Sequence, residues 1–331
     1  MLEVFSQLAD LLVYDLGGLS AQSKLGDALH FFVEDTSKIF VLLLVMIYAI
    51  ALVRAGLDVQ RIRAYLQQRR RASGYLFGAT FGAITPFCSC SSIPLFLGFT
   101  SARIPLGISM AFLITSPLIN EVAVVMLASL LGWKFTLIYI LIGMSVGMLG
   151  GWLLDALRAE RWLAPFILEA QAAAETQAEQ PLAPAAKLSL QQRHTFAKAE
   201  TLDIFGRVWK WVIIGVGLGA GLHGFVPDGW IAANLGGGQW WSVPIAVLVG
   251  IPLYSNATGV IPVMQGLLVK GLPLGTTLAF CMSTVAASFP EFVLLKQVMQ
   301  LRLLALLFGL LLVAFTLVGW LFNALEPWIL S

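Results

Sequence analysis

The sequence predicts an all-α polytopic membrane protein with an inverted-topology repeat. Two halves each carry a broken or re-entrant helical hairpin, with about 8–10 membrane segments in all. Three observations predict it. Hydrophobic residues make up 59% of the chain, only 11% are charged and mean hydropathy is +0.87, far too apolar for a soluble domain of 331 residues. A pattern of Pro, Gly and small polar residues is written twice inside apolar segments, 168 positions apart. The basic residues lie so that the matching first spans of the two copies run in opposite senses.

In chain order, residues 1–37 carry acids throughout and lack a clean apolar run. They read as an N-terminal interfacial helix with Leu, Val and Phe on one face, not as a cleaved signal peptide. Residues 38–156 are the first membrane repeat, 157–203 a cytoplasmic linker and 204–331 the second membrane repeat. A span needs about 20 apolar residues. The clearest lie near 38–55, 134–155, 206–225 and 302–323. Residues 170–186 are rich in Ala, Gln, Glu and Pro without apolar periodicity, so the core of the linker reads as a flexible connection. Its start, Leu157 to Leu168, reads as an amphipathic helix on the membrane surface. Trp133, Trp152, Trp209, Trp211, Trp240, Trp241, Trp320 and Trp328 sit at segment ends, as interfacial anchors do, although buried packing explains some of them.

The first copy of the pattern reads Gly82-Ala83-Ile84-Thr85-Pro86-Phe87-Cys88-Ser89-Cys90-Ser91-Ser92-Ile93-Pro94, then Pro105-Leu106-Gly107 and Ala111-Phe112. The second has Gly250, Ile261-Pro262, Gly266, Pro273-Leu274-Gly275 and Ala279-Phe280. After two inserted residues, Glu121 in Ser116-Pro117-Leu118-Ile119-Asn120-Glu121 matches Glu291 in Ser288-Phe289-Pro290-Glu291. Breaks of this kind in apolar segments mark the substrate site of a membrane transporter.

The loop after the first span holds Arg54, Arg61, Arg63, Arg69, Arg70 and Arg71 against Asp58, which makes it cytoplasmic. The span 206–225 is preceded by Arg193, Lys198, Arg207 and Lys210 and followed by 226–241, which has no Lys or Arg, so it runs outward. Four plain spans before the linker would put that linker outside, against its charge. One segment per half must therefore enter and leave on one side. The candidates are 75–101, broken at Cys88–Ser92, and 243–270, broken at Ser255–Gly259. Each arm of about a dozen residues is too short to cross but suits a re-entrant hairpin. Arg103 is then cytoplasmic and Lys270 external. Two kinked full spans with a misassigned linker are the alternative.

Glu121 and Glu291 are the acids well inside apolar segments, at matching places in the two copies. A carboxylate in hydrocarbon costs a few kcal/mol, and such residues face cavities and take part in ion or proton movement. Proton coupling is one reading. Capping of half-helices opened by Pro117 and Pro290 is another, and the two are compatible. Cys88 and Cys90, at i and i+2, cannot share a helix face but can point into one site from unwound backbone. As a metal-type ligand pair they suit soft centres such as trivalent arsenic, Cu(I) or Zn. Small buried cysteines are also common core residues. Asn256 and Thr258 stand where the first copy has Cys88 and Cys90. Cys281 is a candidate third sulfur or a packing residue. Ser89, Ser91, Ser92, Asn120, Ser255, Asn256 and Thr258 complete the candidate substrate-binding set, able to bond a polar solute or the backbone groups that Pro and Gly free. His30, His194 and His223 form no metal spacing, and no nucleotide-binding or Ser/His/Asp arrangement is present. The sequence therefore predicts no enzyme, no cofactor and no nucleic acid. The predicted partners are a small-molecule substrate and the lipid bilayer, with a homodimer or an accessory subunit as further candidates.

At Thr85-Pro86-Phe87-Cys88-Ser89-Cys90-Ser91-Ser92-Ile93-Pro94 the chain resembles the ArsP-type predicted-permease family. Ser116-Pro117-Leu118-Ile119-Asn120-Glu121, Tyr254-Ser255-Asn256-Ala257-Thr258-Gly259 and Phe289-Pro290-Glu291 strengthen the match, which covers residues 38–325. The resemblance implies a multi-pass permease of the bacterial inner membrane. Its sharpest form is an exporter of trivalent organoarsenicals such as methylarsenite, with Cys88 and Cys90 as the thiophilic pair. The competing readings are a carrier or channel for another small solute, such as a sulfur compound or metal species, and a membrane thiol-redox protein using the same cysteines. A structural membrane subunit is a third class.

Overall fold

The computed structural model describes residues 3–20, 23–54, 71–85, 89–101, 104–119, 121–169, 189–223, 239–253 and 257–329. Every regular element among them is helical, which is the all-α class the sequence predicts. The chain forms two compact units. One holds Met1–Leu44, Arg207–Val293 and Leu311–Ser331, and the other Val45–Gly206 and Leu294–Leu310.

Helix α1, Glu3–Asp10, runs into a π-helical turn at Leu11–Asp15. Its Val4 and Leu8 are exposed, as are Leu11, Leu12 and Leu16 beyond it, whereas Ala9 and Val13 are buried. The segment is held to the next helix where His30 meets Asp10 at 3.0 Å and stacks on Tyr14. Helix α2, Lys24–Arg54, joins what the sequence reads as the end of the interfacial segment to the first span. No Gly or Pro follows Gly26 to break it, and Glu34 pairs with Lys38 one turn on.

In the second unit, α3 (Arg71–Ile84) and α4 (Ser89–Ser101) form a helical hairpin that leads into α5 (Leu106–Leu118). Contacts fix the directions. A Cβ at Gly74 or Gly78 would meet Ile108, and one at Gly82 would meet Phe112 and Thr115, so α3 and α5 run in the same sense. Ser92 at the start of α4 bonds Ser116 at the end of α5, so α4 runs in the opposite sense to both. Helix α5 is buried along its whole length.

Two residues after α5, α6 (Glu121–Ala156) begins. The sequence places the start of a span near residue 134. The backbone breaks the helix at Gly132, whose φ of 83° is a conformation that favours glycine. The part after Gly132 packs antiparallel on α5, with Gly151 against Gly107 and Gly147 against Ala111 and Thr115. A 3-10 turn at Ala159–Trp162 follows, and residues 165–169 add a short helical stretch. Leu163 and Ile167 are buried there. Trp162 to Ala164 bond the backbone of Val298 and Gln300: Ala164 N donates to Val298 O at 3.1 Å and Gln300 N to Trp162 O at 2.8 Å. The start of the linker is thus docked, not a continuous surface helix.

Helix α7, Leu190–His223, opens on a capping box in which Ser189 and Gln192 bond each other's backbone N–H groups. Tyr48 of α2 bonds His194 of α7, and Phe32 of α2 meets Gly217 of α7, so the two helices pass in opposite senses. In the first unit, α8 (Ser242–Gly250) and α9 (Ala257–Val269) form a second hairpin, followed by α10 (Leu274–Ala286), α11 (Phe289–Leu295) and α12 (Leu301–Ile329). Gly250 lies against Phe280 and Ser283, and Gly275 against Gly319 and Asn323. These pairs stand 168 positions beyond Gly82 with Phe112 and Gly107 with Gly151. Among the described residues, Ala123–Ala156 and Leu301–Trp328 are long and apolar enough to cross a membrane.

Candidate substrate site

In the second unit, the apex of the α3–α4 hairpin and the break between α5 and α6 sit at one level. Thr85 closes α3 by donating from Oγ1 to Phe81 O at 2.8 Å. Helix α4 restarts at Ser89, so Ser89, Cys90, Ser91 and Ser92 form its first turn. The break begins a few residues earlier than the sequence suggests, and Cys90 stands on helical backbone instead of unwound chain. Ser92 is fully buried, and its Oγ lies 2.8 Å from the equally buried Ser116 Oγ. Pro117 follows, and the chain leaves helical geometry at Ile119, with φ −117° and ψ 99°. The Leu118 carbonyl, released by this break, accepts from Tyr139 Oη at 2.6 Å. Thr115 Oγ1 is buried without a hydrogen-bond partner among the described residues. Glu121 is the first residue of α6. Cys88 and Asn120 lie outside the described residues, and nothing is described of the side chains of Glu121, Ser89, Cys90 and Ser91.

The first unit carries the corresponding arrangement. Helix α8 ends at Gly250, and α10 ends at Ala286. Phe289 N, just after that break, donates to Ile251 O beside the hairpin apex at 2.9 Å. Ser283 and Thr284 turn their hydroxyls back onto carbonyls of α10, Phe280 O and Cys281 O. Glu291, in the first turn of α11, is 4% exposed. Ser288 is fully buried, with its Oγ unpartnered among the described residues. Ser255 and Asn256 lie outside the described residues, and Thr258 falls in the first turn of α9. Cys281 is a buried free thiol inside α10. No group of three His, Cys, Asp or Glu side chains able to hold a metal occurs among the described residues.

The central helices α5 and α10 share a further device. Leu106 N donates to Glu160 Oε1 at 3.1 Å, and Leu274 N to Glu326 Oε2 at 3.3 Å. Each thus starts on Pro-Leu-Gly and is capped by an acid from a distant element. Sequence reasoning missed both caps, and also Tyr139, because the partners lie 54, 52 and 21 residues away.

A family model described as "Predicted permease" matches residues 24–324. The chain belongs to this family. The permease is 24% identical to UPF0718 protein YraQ of Escherichia coli (strain K12) over 251 residues, covering 75% of this chain and 67% of that one. It is 21% identical to UPF0718 protein MJ0584 of Methanocaldococcus jannaschii over 294 residues, covering 74% and 80%. A shorter match, 29% over 100 residues and 28% of this chain, is to a "Putative two-component membrane permease complex subunit" of Streptococcus mutans, 33% of which is covered. No solved structure matches the permease. Family membership makes it a membrane protein of the permease kind.

Proposed function

We propose that this permease is a multi-pass inner-membrane carrier whose inverted halves move a small solute past two re-entrant hairpin apices, with a trivalent organoarsenical exported as the sharpest version. The observation that carries the reading is the repeated coincidence of hairpin apex and helix break, tied by Ser92 to Ser116 in one unit and by Phe289 to Ile251 in the other. Backbone leaves helical geometry at membrane depth only where protein or a water-filled path covers it.

Inversion draws support from three features. The counterpart helices α2 and α7 run in opposite senses. The turn at 296–300, cytoplasmic in an inverted second half, is bonded to the linker start at Trp162–Ala164. With this topology only Lys24, Lys38, Lys134 and Lys270, of 20 Lys and Arg residues, lie on the outer side. In this reading Glu121 and Glu291 couple transport to protons. Cys88 and Cys90 bind the soft centre, and Ser89, Ser91, Ser92, Asn120, Ser255, Asn256 and Thr258 contact the solute. A carrier for a different small solute is favoured by one observation: the second copy has Asn256 and Thr258 where the first has the two thiols.

The test is methylarsenite accumulation in everted membrane vesicles, with and without a proton gradient. This protein is compared with Cys88→Ser/Cys90→Ser and an empty-vector control. Accumulation lost in the variant supports thiol-dependent export. Accumulation retained removes the thiols from the mechanism, and none above control with inserted protein sinks the arsenical reading.

A further inference from the structure

Positive charge gathers where the chain after α6 docks on the start of α12. Residues 155–168 and 294–310 hold Arg158, Arg161, Lys296 and Arg302 against Asp155 and Glu160. Both acids are engaged. Asp155 Oδ2 accepts from the Tyr75 hydroxyl at 2.6 Å and lies 3.5 Å from Arg71 Nη1, and Glu160 Oε1 accepts from Leu106 N. The four bases are exposed, and none of them has an ion-pair partner among the described residues.

Two features separate this cluster from scattered surface bases. Arg158 has φ 49° and ψ 47°, a left-handed conformation that a helix end usually gives to Gly. No other described residue except glycine has a positive φ. Strain of this kind gathers at ligand clamps, where the side chain is needed although glycine would fit the backbone better. Arg158 leads into the 3-10 turn Ala159–Trp162, in which side chains three residues apart eclipse, so Arg158 and Arg161 share one face. The Arg161 guanidinium lies over the Trp162 ring, 4.6 Å from its centroid, which holds it in place. Gln300 N donates to Trp162 O at 2.8 Å and so brings the first turn of α12, with Arg302, to the same edge.

The apolar runs Ala123–Ala156 and Leu301–Trp328, long enough to cross a membrane, end and begin at this edge, which places it at a bilayer surface. Trp152, Phe166 and Leu301 are exposed around it. Apolar side chains beside guanidiniums match the two parts of a phospholipid, its acyl chains and its phosphate. The planar guanidinium fork suits phosphate oxygens in particular.

We propose that Arg158, Arg161 and Arg302 bind the phosphate of an anionic phospholipid from the surrounding bilayer. The headgroup bridges the two docked stretches and stabilises the folded permease. The site needs α6 and α12 to span the membrane, but neither the inverted topology nor the identity of the solute enters.

The test follows the thermal unfolding midpoint of the purified permease in a neutral detergent. Phosphatidylglycerol is titrated in, with phosphatidylcholine and inorganic phosphate as separate arms. The midpoint should rise with phosphatidylglycerol and with neither of the others. Arg158→Gly takes the left-handed φ without strain, so it should keep or raise the lipid-free midpoint. It should nevertheless need about fivefold more phosphatidylglycerol for half the shift, as expected for one base at a bilayer surface. Arg161→Gln and Arg302→Gln should move the titration in the same way. With all three replaced, the response to phosphatidylglycerol should match that to phosphatidylcholine. Arg193→Gln/Lys198→Gln/Lys210→Gln removes three charges from α7 instead and should titrate like wild type. No rise with phosphatidylglycerol, a wild-type titration in the triple variant at 158, 161 and 302, or an equal loss in the α7 variant overturns the site. A rise with inorganic phosphate alone overturns the lipid as its occupant. A lower lipid-free midpoint for Arg158→Gly with its titration unchanged would make Arg158 a helix-end charge and overturn its place in the site.

Discussion

At Gly107 the backbone of α5 comes so close to α6 that an added Cβ would sit 2.6 Å from the Gly151 carbonyl. In lipid, apolar side chains gain nothing by leaving hydrocarbon for another helix, so close backbone approach through small residues carries the association. Gly275 against Gly319 repeats the approach in the other unit. Gly107→Val should therefore destabilise the folded protein by about 1–3 kcal/mol, read as a lower melting temperature in detergent. Gly266, with no atom near its would-be Cβ, should tolerate Ala with little change. An equal melting temperature for both variants would show that the close approach carries no stability. Gly107 and Gly275 were visible in the sequence as repeated Pro-Leu-Gly. The bond from the Tyr75 hydroxyl to Asp155 Oδ2 was not, because 80 residues separate two common residue types and only the folded chain brings donor and acceptor together.

Among the elements, α5 and α10 impose the strictest demand. A helix buried over its length must still satisfy the free N–H groups of its first turn, and Glu160 and Glu326 do so from a distance. Glu160→Ala should cost about 1 kcal/mol, read as a shift in the thermal unfolding midpoint, while Glu160→Gln, which keeps the acceptor, should cost less. The same midpoint for wild type and Glu160→Ala would remove the cap from the account. Much at this scale was legible. Prolines and clustered Ser and Cys announced a break near residue 88, and Pro117 announced a helix start nearby, which α6 makes at Glu121. The break inside α6 was legible as the start of the span near 134–155, just past Gly132, but the helical stretch 121–131 before it was not. Nor was the continuity of α2, where the change from charged to apolar side chains looks like a boundary although nothing interrupts the backbone. Composition reports the medium around a segment, whereas hydrogen bonding decides where a helix starts and stops.

For the whole molecule, the proposed topology puts Lys134, just past Gly132, outside and Lys296, just past α11, inside. A cysteine at Lys134 should react with an impermeant reagent in right-side-out vesicles and one at Lys296 in everted vesicles. Reaction from one common face would refute the inversion. The sequence carried the opposed charge bias of the two first spans, but it gave no sign that Trp162–Ala164 would pair with Val298–Gln300, because backbone hydrogen bonds leave no mark on side-chain identity. That pairing fastens the end of the first half's last helix to a turn of the second half, and Gln300 Nε2 adds a bond to Leu163 O at 3.0 Å. Covalent continuity through residues 170–188 is then dispensable for assembly. Two separately translated fragments, ending and beginning within that stretch, should find each other in the membrane and co-purify, and Gln300→Ala should weaken the reunion. The fused chain behaves, on this view, as a heterodimer whose subunits are made together in a fixed one-to-one ratio.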